Sequence, residues 1–320
     1  MGAYVTLALS LVVLSFAAVV MRLAQINGIP SNVIAATRLS LAALIITPFV
    51  LSRHRDALRR LTRSDIMWSC ISGAWIGVHF LLMTISLEHT TILIAQVIVN
   101  TSPLWVALME TVFLKTRISG PLYIAIVLTM VGGGLIALAS ASGAVLNGGG
   151  DFLLSSGSVG DILNSQYDGR DPVLGATLAL LGAIAGSVYL TLGRKVRASV
   201  DIVPYVWIVF GVGGMVGMGA VFISGTPLLG YSQTGYLWLL VLTIGPHLVG
   251  HSSFNYTLRF FSATFVSIGA QSITVSAALV AFVLFAEVPG PLELTGSAII
   301  MFGVILAIIG SRRRARRLAA

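Results

Sequence analysis

The sequence contains very few charged residues. Only 9% of its 320 residues are Asp, Glu, Lys or Arg, whereas apolar residues make up 57% and the mean hydropathy is +0.97. A soluble globular domain has about 25% charged residues. A chain of this size therefore lacks the polar side chains needed to cover a surface in water, and the composition predicts an integral membrane protein.

Cysteine and nucleotide-binding motifs are also scarce. The single cysteine, Cys70, lies in an apolar segment, so an internal disulfide is excluded. The sequence has no GxxxxGK[ST] motif and no soluble domain to hold one, which argues against ATP-driven transport by this chain alone. The glycine-rich stretch GGGLIAL (132–138) lies in a predicted membrane helix and cannot bind a phosphate there. We therefore expect no cofactor.

Long apolar segments follow one another along the whole chain. A bilayer core of about 30 Å needs about 20 apolar residues in a helix. The predicted spans, numbered 1 to 10, are 3–24, 31–51, 66–87, 90–114, 120–141, 172–193, 202–224, 235–256, 262–286 and 291–311. The predicted fold class is thus an all-α membrane protein with ten transmembrane helices.

The basic residues are concentrated in alternate loops. Sixteen of the 19 Lys and Arg residues lie in 52–63, in the loops after spans 4, 6 and 8, or in the tail RRRARR at 312–317. Because Lys and Arg are enriched on the cytoplasmic side, this pattern places both termini in the cytoplasm of a plasma (inner) membrane and the loop 142–171 outside. The net charge of +8 then reflects topology and contact with anionic lipid, and we expect no nucleic-acid partner.

The two halves of the chain are related by an offset of 171 residues. Shifted by this offset, 86–140 aligns with 257–311 without a gap, and the ends of spans 4 and 5 align with those of spans 9 and 10. A repeat of five helices must enter the membrane in the opposite orientation the second time. An inverted five-plus-five repeat around a central cavity is an architecture of secondary transporters, which bind their solute near the midplane.

Two stretches resemble a known family. The stretch SLEHTTILIAQVIVNTSPLWVALMETVFLKTRISGPLYIAIVLTMVGGGLIAL (86–138) and the stretch TLRFFSATFVSIGAQSITVSAALVAFVLFAEVPGPLELTGSAIIMFGVILAIIG (257–310) are similar to the EamA domain of the drug/metabolite transporter superfamily. The turn glutamate of that domain matches Glu287, but Thr116 stands in its place in the first half. The resemblance implies a secondary transporter that exports amino acids or related metabolites.

The domain organisation follows from the repeat and from this resemblance. Residues 1–141 form the first five-helix repeat and 172–311 the second. Between them, 142–171 is an external loop that is longer than the family pattern leads us to expect and lacks the spacing of a calcium-binding loop. Residues 312–320 form a basic cytoplasmic tail.

Polar residues recur at the centres of spans 4 and 9. The offset aligns Gln96 with Ser267 and Asn100 with Gln271. Amides in hydrocarbon are expected to face the bundle interior or a wet cavity, so these four residues are candidate solute ligands. Pro103 is expected to leave the Val99 carbonyl without its helical donor, as a spare acceptor. The alternative is that the amides only hydrogen-bond neighbouring helices.

Other ionisable and aromatic groups fall inside predicted spans. Arg38 in span 2 is costly there, by about 2.5–3.5 kcal/mol on insertion scales, and either binds an anion or forms a structural or gating ion pair. His79, His247 and His251 are candidates for proton coupling, and interhelical hydrogen bonding is the alternative for each. His79 and Trp75, four residues before it, are also candidate solute ligands, although Trp75 fits a lipid-facing position equally well.

Two further expectations concern packing. Glu110, near the end of span 4, is expected to reach the membrane surface or to pair with Lys115 or Arg117. The small-xxx-small pairs Gly73/Gly77 and Gly182/Gly186 indicate close helix packing.

The function predicted from the sequence is a secondary active transporter for a small organic solute, with protons as the candidate coupling ion. The alternative is an integral-membrane enzyme that binds a metal through His79, His247 and His251. That alternative lacks a nearby carboxylate to complete a hydrolytic centre, and we predict neither a metal site nor catalysis. The identity of the solute and the oligomeric state are not indicated by the sequence.

Overall fold

The computed structural model describes residues 2–89, 98–116, 118–146, 171–276 and 291–319, and the regular structure in these ranges is entirely helical. Within these described ranges, six helices are long and apolar enough to cross a membrane. They are Gly2–Ile26, Ser31–Arg53, Arg63–Ser86, Val173–Val196, Ile202–Ser224 and Gln233–Thr257. Shorter apolar helices at Ser102–Phe113, Gly120–Ile136 and Leu294–Gly310 fall within spans 4, 5 and 10.

The predicted all-α membrane architecture is therefore confirmed. The count of ten spans stays a prediction, because 90–97 of span 4 and 277–286 of span 9 lie outside the described residues. The helices are α1 (Gly2–Ser15), α2 (Ala17–Ile26), α3 (Ser31–Arg53), α4 (Arg55–Arg59), α5 (Arg63–His89), α6 (Ser102–Phe113), α7 (Gly120–Leu146), α8 (Pro172–Val196), α9 (Ile202–Ser224), α10 (Gln233–Leu242), a π-helix (Thr243–His251), α11 (Ser252–Thr257), α12 (Ala263–Ala270) and α13 (Pro291–Ala319).

Span 8 changes from an α-helix to a π-helix near its centre. The chain passes from α10 into the π-helix and then into α11 without leaving the helical path. Pro246 lies inside the π-helix, and proline has no backbone N–H to continue an α-helical hydrogen-bond ladder. The wider π turn carries His247 and His251, and such turns are frequent at functional sites.

Spans 4 and 9 are each interrupted by a turn at their centre. Asn100 and Thr101 form the turn before α6, and Gln271 forms the turn that follows α12. The Thr101 N–H bonds the carbonyl three residues earlier at 3.0 Å, and the Gln271 N–H does the same at 3.1 Å. Because the offset of 171 residues aligns Asn100 with Gln271, the two interruptions occupy corresponding places in the two halves.

Pro103 lies in the first turn of α6, a position that tolerates the missing N–H of proline. The carbonyl of Val99 accepts a hydrogen bond from Ser102 Oγ at 2.6 Å. The expectation of a spare acceptor at Val99 is therefore wrong, because a hydroxyl three residues along the chain reaches the carbonyl that proline leaves without its helical donor.

Glycines allow the helices to approach one another closely. A Cβ at Gly77 of α5 would lie 2.7 Å from the carbonyl oxygen of Gly213 in α9. One at Gly186 of α8 would lie 2.8 Å from Nδ1 of His79 in α5. Gly73 and Gly182 likewise face α9 and α5 at similar distances. The predicted packing role of both glycine pairs is confirmed.

The crossing of α7 and α13 is reciprocal. A Cβ built on Gly132 would lie 2.6 Å from the carbonyl oxygen of Gly296, and one built on Gly296 would lie 2.6 Å from that of Gly132. Further along the crossing, a Cβ at Gly303 would lie 3.2 Å from the carbonyl oxygen of Ala125. Because residue numbers fall along α7 as they rise along α13, the two helices run antiparallel.

Polar contacts join the helices at both ends of the bundle. At the end that carries Arg194, Arg197 and Arg259, which we call the basic end, Arg194 Nη1 donates to the carbonyls of Leu258 and Arg259 at 2.5 and 2.8 Å. Arg197 is buried and donates to the Val200 carbonyl. Burial lowers the pKa of Arg197 to about 10, so the side chain stays charged at neutral pH.

The opposite end of the bundle is joined by uncharged side chains. Asn32 Nδ2 donates to Thr226 Oγ1 at 2.8 Å, which connects the start of α3 to the loop after α9. Ser232 Oγ donates to the Asn27 carbonyl at 2.8 Å, which connects the start of α10 to the loop after α2.

Candidate functional site

The bundle interior contains a charged cluster built from three helical segments. We use the name charged cluster for Arg38 on α3, His79 and Phe80 on α5, and His247 and His251 on the π-helix. Arg38 is 6% exposed and His247 is fully buried. Four of these residues are candidates predicted from three separate spans of the sequence, and the fold brings them together.

Arg38 and His247 are joined directly. The Arg38 Nε–H donates to His247 Nδ1 at 3.2 Å, and the guanidinium carbon lies 4.2 Å from the centroid of the Phe80 ring. Arginine only donates hydrogen bonds, so Nδ1 of His247 must be the acceptor. The proton of the neutral ring is therefore on Nε2, which is buried and has no hydrogen-bond partner among the described residues.

The other rings complete the cluster. The centroids of His247 and His251 are 5.0 Å apart, and Phe80 lies 6.0 and 5.8 Å from these two rings. Phe210 of α9 covers His247 at 4.5 Å. The positive charge of Arg38 interacts electrostatically with all three histidines, which places His79 in the same electrostatic environment.

His79 has the opposite tautomer to His247. Its Nδ1 lies 2.7 Å from the Gly182 carbonyl oxygen, and a carbonyl can only accept, so Nδ1 carries the proton. In the neutral ring Nε2 is then an acceptor. The charged cluster thus offers a donor at His247 Nε2 and an acceptor at His79 Nε2.

Phe80 and Phe210 were missed by the sequence analysis. Phenylalanine is abundant in membrane helices, and its adjacency to His79 was the only sign of a role for Phe80. Stacking of Phe80 under a guanidinium depends on the crossing of α3 and α5, which a single sequence does not show. An arginine above an aromatic face is stabilised by the ring quadrupole.

A chain of hydrogen bonds between buried polar side chains joins the π-helix to the neighbouring helices. Tyr189 Oη donates to Asn255 Oδ1 at 2.7 Å, and Asn255 Nδ2 donates to the His251 carbonyl at 2.8 Å. Next to them, Ser72 Oγ and Tyr205 Oη are 2.9 Å apart, within hydrogen-bonding distance. These contacts connect α5, α8 and α9 to the segment that carries His247 and His251.

The second group of predicted ligands forms what we call the amide region, namely Asn100, Ser267 and Gln271. All three side chains are buried. Asn100 lies against α7 at Gly133, where a Cβ would come within 2.3 Å of Asn100 Nδ2. Gln271 Oε1 has no hydrogen-bond partner among the described residues. The remaining predicted member, Gln96, lies outside the described residues.

Trp75 differs from the other predicted ligands. Its side chain is 38% exposed, and it makes no hydrogen bond or ring contact within the described ranges. A groove of about 500 Å³ elsewhere on the surface runs between α3 and α9 and is lined mainly by apolar side chains, including Leu44, Trp207 and Met215. The exposure of Leu44 and Met215 is typical of a lipid-facing surface, and none of the predicted ligands lines this groove.

Glu110 has partners that the sequence did not predict. Its carboxylate is 2% exposed and accepts hydrogen bonds from Ala263 N, Thr264 N and Thr264 Oγ1 at 2.7, 2.9 and 2.6 Å. It is buried and does not pair with Lys115, and Arg117, the other predicted partner, lies outside the described residues. The first N–H groups of a helix have no intrahelical acceptor, so the start of α12 attracts an anion.

The metal-binding alternative receives no support from the geometry. Among the described residues, no three His, Cys, Asp or Glu side chains are grouped so that they could hold a metal ion. The cluster histidines are instead interleaved with Phe80 and Arg38, and a guanidinium next to the rings opposes binding of a second cation.

A family of known proteins and a solved structure both match most of the chain. The model of the EamA-like transporter family matches residues 1–138 and 173–309. No curated protein matches the sequence. A solved structure described only as "Crystal structure of protein" superposes with a TM-score of 0.74 at 15% identity, over 97% of this chain and 98% of that chain. At this identity the structural likeness shows the fold alone.

Proposed function

The chain belongs to the EamA-like transporter family, and from this premise we propose that it is a secondary active transporter working by alternating access. Membership of the family supports transport of small solutes across the membrane. The solute we propose is an amino acid or a related metabolite, and the proposed direction is export. The observation that carries the proposal is the family match over nearly the whole chain, combined with membrane helices interrupted at their centres.

The alternating access that we propose rests on an inverted repeat of the two halves. The two matched segments start 172 residues apart and end 171 residues apart. Under the offset of 171, the contact between Gly132 and Gly296 corresponds to the contact between Ala125 and Gly303, and both are present. In an inverted repeat, the two halves can exchange conformations so that a central site opens first to one side and then to the other.

The solute site we propose lies between the two halves. The amide region would provide ligands from Gln96, Asn100, Ser267 and Gln271, and the charged cluster would add Arg38 and His79. The turns at Asn100 and Gln271 interrupt spans 4 and 9 near their centres, which supports a solute site at this level of the bundle. Trp75 is the weakest member of the proposed set because of its exposure.

Protons are the coupling ion we propose. His79, His247 and His251 are the titratable groups in the charged cluster, and histidine is the side chain whose ordinary pKa lies closest to neutral pH. The nearby Arg38 charge means that gain of a proton by any of the three rings would be sensitive to an anion bound in the same place.

The proposed orientation has both termini in the cytoplasm of a plasma (inner) membrane. It is supported by the concentration of Lys and Arg in alternate loops. Single cysteines at Ala57 and Gly157, placed in a chain lacking Cys70, provide the test. An impermeant reagent added outside the cell should modify Gly157→Cys and spare Ala57→Cys, whereas the reverse pattern would contradict the orientation.

The transport function is tested by counterflow. Purified protein in proteoliposomes should exchange at least one labelled member of a panel of amino acids and other small metabolites, with and without a pH gradient. Liposomes without protein are the control. Protein that is monodisperse and yet exchanges no member of a broad panel would contradict the proposal.

A further inference from the structure

The charged cluster presents hydrogen-bond donors that no acidic side chain of the described residues pairs with. Arg38 has five N–H donors, and only the one on Nε makes a hydrogen bond to the described residues. Phe80 lies against one face of the guanidinium, a contact that uses none of the N–H donors at its edge. The single salt bridge within the described ranges joins Arg259 to Asp201 at the basic end, far along the chain from Arg38.

His247 adds a second donor next to the guanidinium. Its Nδ1 is occupied by Arg38, so its Nε2–H is the free donor of a fully buried ring. Neither donor group can turn to water without leaving the interior. The terminal N–H groups of a guanidinium bind a carboxylate, because each of its two oxygens can accept a hydrogen bond, whereas the Nε2–H of His247 points away from the nitrogen that Arg38 uses.

Arg38 and His247 have no polar counterparts in the repeat. The offset of 171 residues aligns Arg38 with Val209 and His247 with Ile76. Val209 and Ile76 are both buried in an apolar cluster with Leu39 and Phe210. The fold therefore builds the corresponding place in the other half from hydrocarbon, so neither the crossing of the helices nor the repeat requires an arginine and a histidine here.

We propose that the terminal N–H groups of Arg38, whose Nε is held by His247, bind the carboxylate of the transported solute, an inference that rests on the transport function proposed above. The solute class is then organic acids and zwitterions with a free carboxylate. Neutral amides of the same shape are excluded, because an amide cannot neutralise the guanidinium and offers one acceptor oxygen instead of two.

Acid–amide pairs test the inference by binding alone. The probes are L-leucine with L-leucinamide, L-phenylalanine with L-phenylalaninamide, lactate with lactamide, and benzoate with benzamide. Binding to the purified full-length protein is measured by calorimetry and by thermal stabilisation. For at least one pair the acid should bind about tenfold or more tightly than its amide. Absence of acid binding in every pair, or equal binding of acid and amide, overturns the inference.

Variants connect the preference to the residues. Arg38→Gln should reduce the acid-to-amide ratio to within about threefold, and Arg38→Lys should retain part of it because the positive charge remains. Arg259→Gln at the basic end is the matched control and should keep the full ratio. A folded Arg38→Gln protein with an unchanged ratio overturns the inference. If Arg38→Gln does not fold, Arg38→Lys and His247→Phe decide, since both should lower the ratio.

Measurements of binding and of flux distinguish the proposed carboxylate site from the proposed transport function. Acid-selective binding with no counterflow of any solute would contradict the transport function while the carboxylate site stands. Counterflow of neutral or cationic solutes with no preference for acids would contradict the carboxylate site while the transport function stands.

Discussion

The amide region and the charged cluster are two polar regions of one membrane bundle, and they are built differently. Asn100 and Gln271 correspond under the 171-residue offset and lie at corresponding turns in spans 4 and 9. Arg38 and His247 correspond to Val209 and Ile76, so these two polar groups have no polar counterpart in the other half. The polar groups of one region are repeated, and those of the other are not.

This difference indicates a division of roles. A repeated interruption affects both halves in the same way, which suits a part of the molecule that must function equally from either side of the membrane. An unrepeated charge makes the interior chemically asymmetric and suits recognition of one end of a solute. Substitutions at corresponding residues of the amide region, such as Asn100 and Gln271, should therefore have similar effects on solute binding. Substitutions in the charged cluster should show no such matched effects.

The largest expected effect comes from Glu110, which joins the two helices of the amide region. Glu110→Ala leaves the buried N–H groups of Ala263 and Thr264 without an acceptor and should lower the free energy of unfolding by about 3 kcal/mol. Thermal or denaturant unfolding of the purified protein in detergent measures the loss.

Two variants control the Glu110 experiment. Glu110→Gln keeps one acceptor oxygen and should be destabilised less than Glu110→Ala. Asp56→Ala removes an exposed carboxylate and should leave stability unchanged. If Glu110→Ala is as stable as the parent, the carboxylate does not hold the start of α12.

The next effect concerns the packing of the amide region against α7. Gly133→Ala places a Cβ within 2.3 Å of Asn100 Nδ2 and 3.2 Å of Asn100 Cβ, so a change of rotamer cannot fully relieve the clash. A loss of about 2 kcal/mol is expected. The matched control is Gly134→Ala, where nothing lies within 4 Å of the added atom. Equal stability of the two variants would show that Asn100 does not pack against Gly133.

A smaller effect tests whether the amides bind solute. Asn100→Leu and Gln271→Leu should each weaken solute binding by about tenfold, or about 1.4 kcal/mol, because a leucine offers no hydrogen bond. The two losses should be similar, since the residues correspond in the repeat. Titration of the purified variants measures them. Unchanged affinity in both monodisperse variants would show that the amides only connect helices. Loss of affinity in only one of the two variants would contradict the equivalence of Asn100 and Gln271, on which the contrast with the charged cluster depends.

The smallest expected change is in the pH dependence of transport. If protons drive flux, His79→Gln, His247→Gln or His251→Gln should flatten the pH profile while exchange without a gradient stays measurable. Flux in proteoliposomes with an imposed pH gradient gives the profile. His54→Gln, at the end of α3 in the basic loop, is the control. Three variants with the parent profile would remove histidine from the coupling mechanism.

Several features of the fold were predictable from local composition. Apolar segments of about 20 residues identified helices that the structure also has, because a bilayer core imposes that length on any helix that crosses it. The glycine pairs at 73/77 and 182/186 were predicted as packing sites because small residues repeated at four-residue spacing form a smooth helix surface. The candidates in the charged cluster were visible as ionisable residues inside apolar segments.

The partners of these residues were not predictable in the same way. Glu110 lies close in sequence to Lys115 and Arg117, yet its carboxylate binds the start of α12, 153 residues away. The spare carbonyl expected at Val99 is occupied by Ser102, three residues along the chain. In both cases an unsatisfied backbone group decided the contact, and which groups remain unsatisfied depends on how the helices end and meet.

The sequence by itself determined that this protein lies in a membrane, where its helices are and which of its residues are costly to bury. These properties follow from transfer of each segment into hydrocarbon and do not depend on neighbouring helices. Only the tertiary structure decided that Phe80 stacks on Arg38, that His247 and His79 carry their protons on different nitrogens, and that Asn100 packs against Gly133. Which partner a side chain contacts depends on the helix that it faces, and that helix comes from a distant part of the chain.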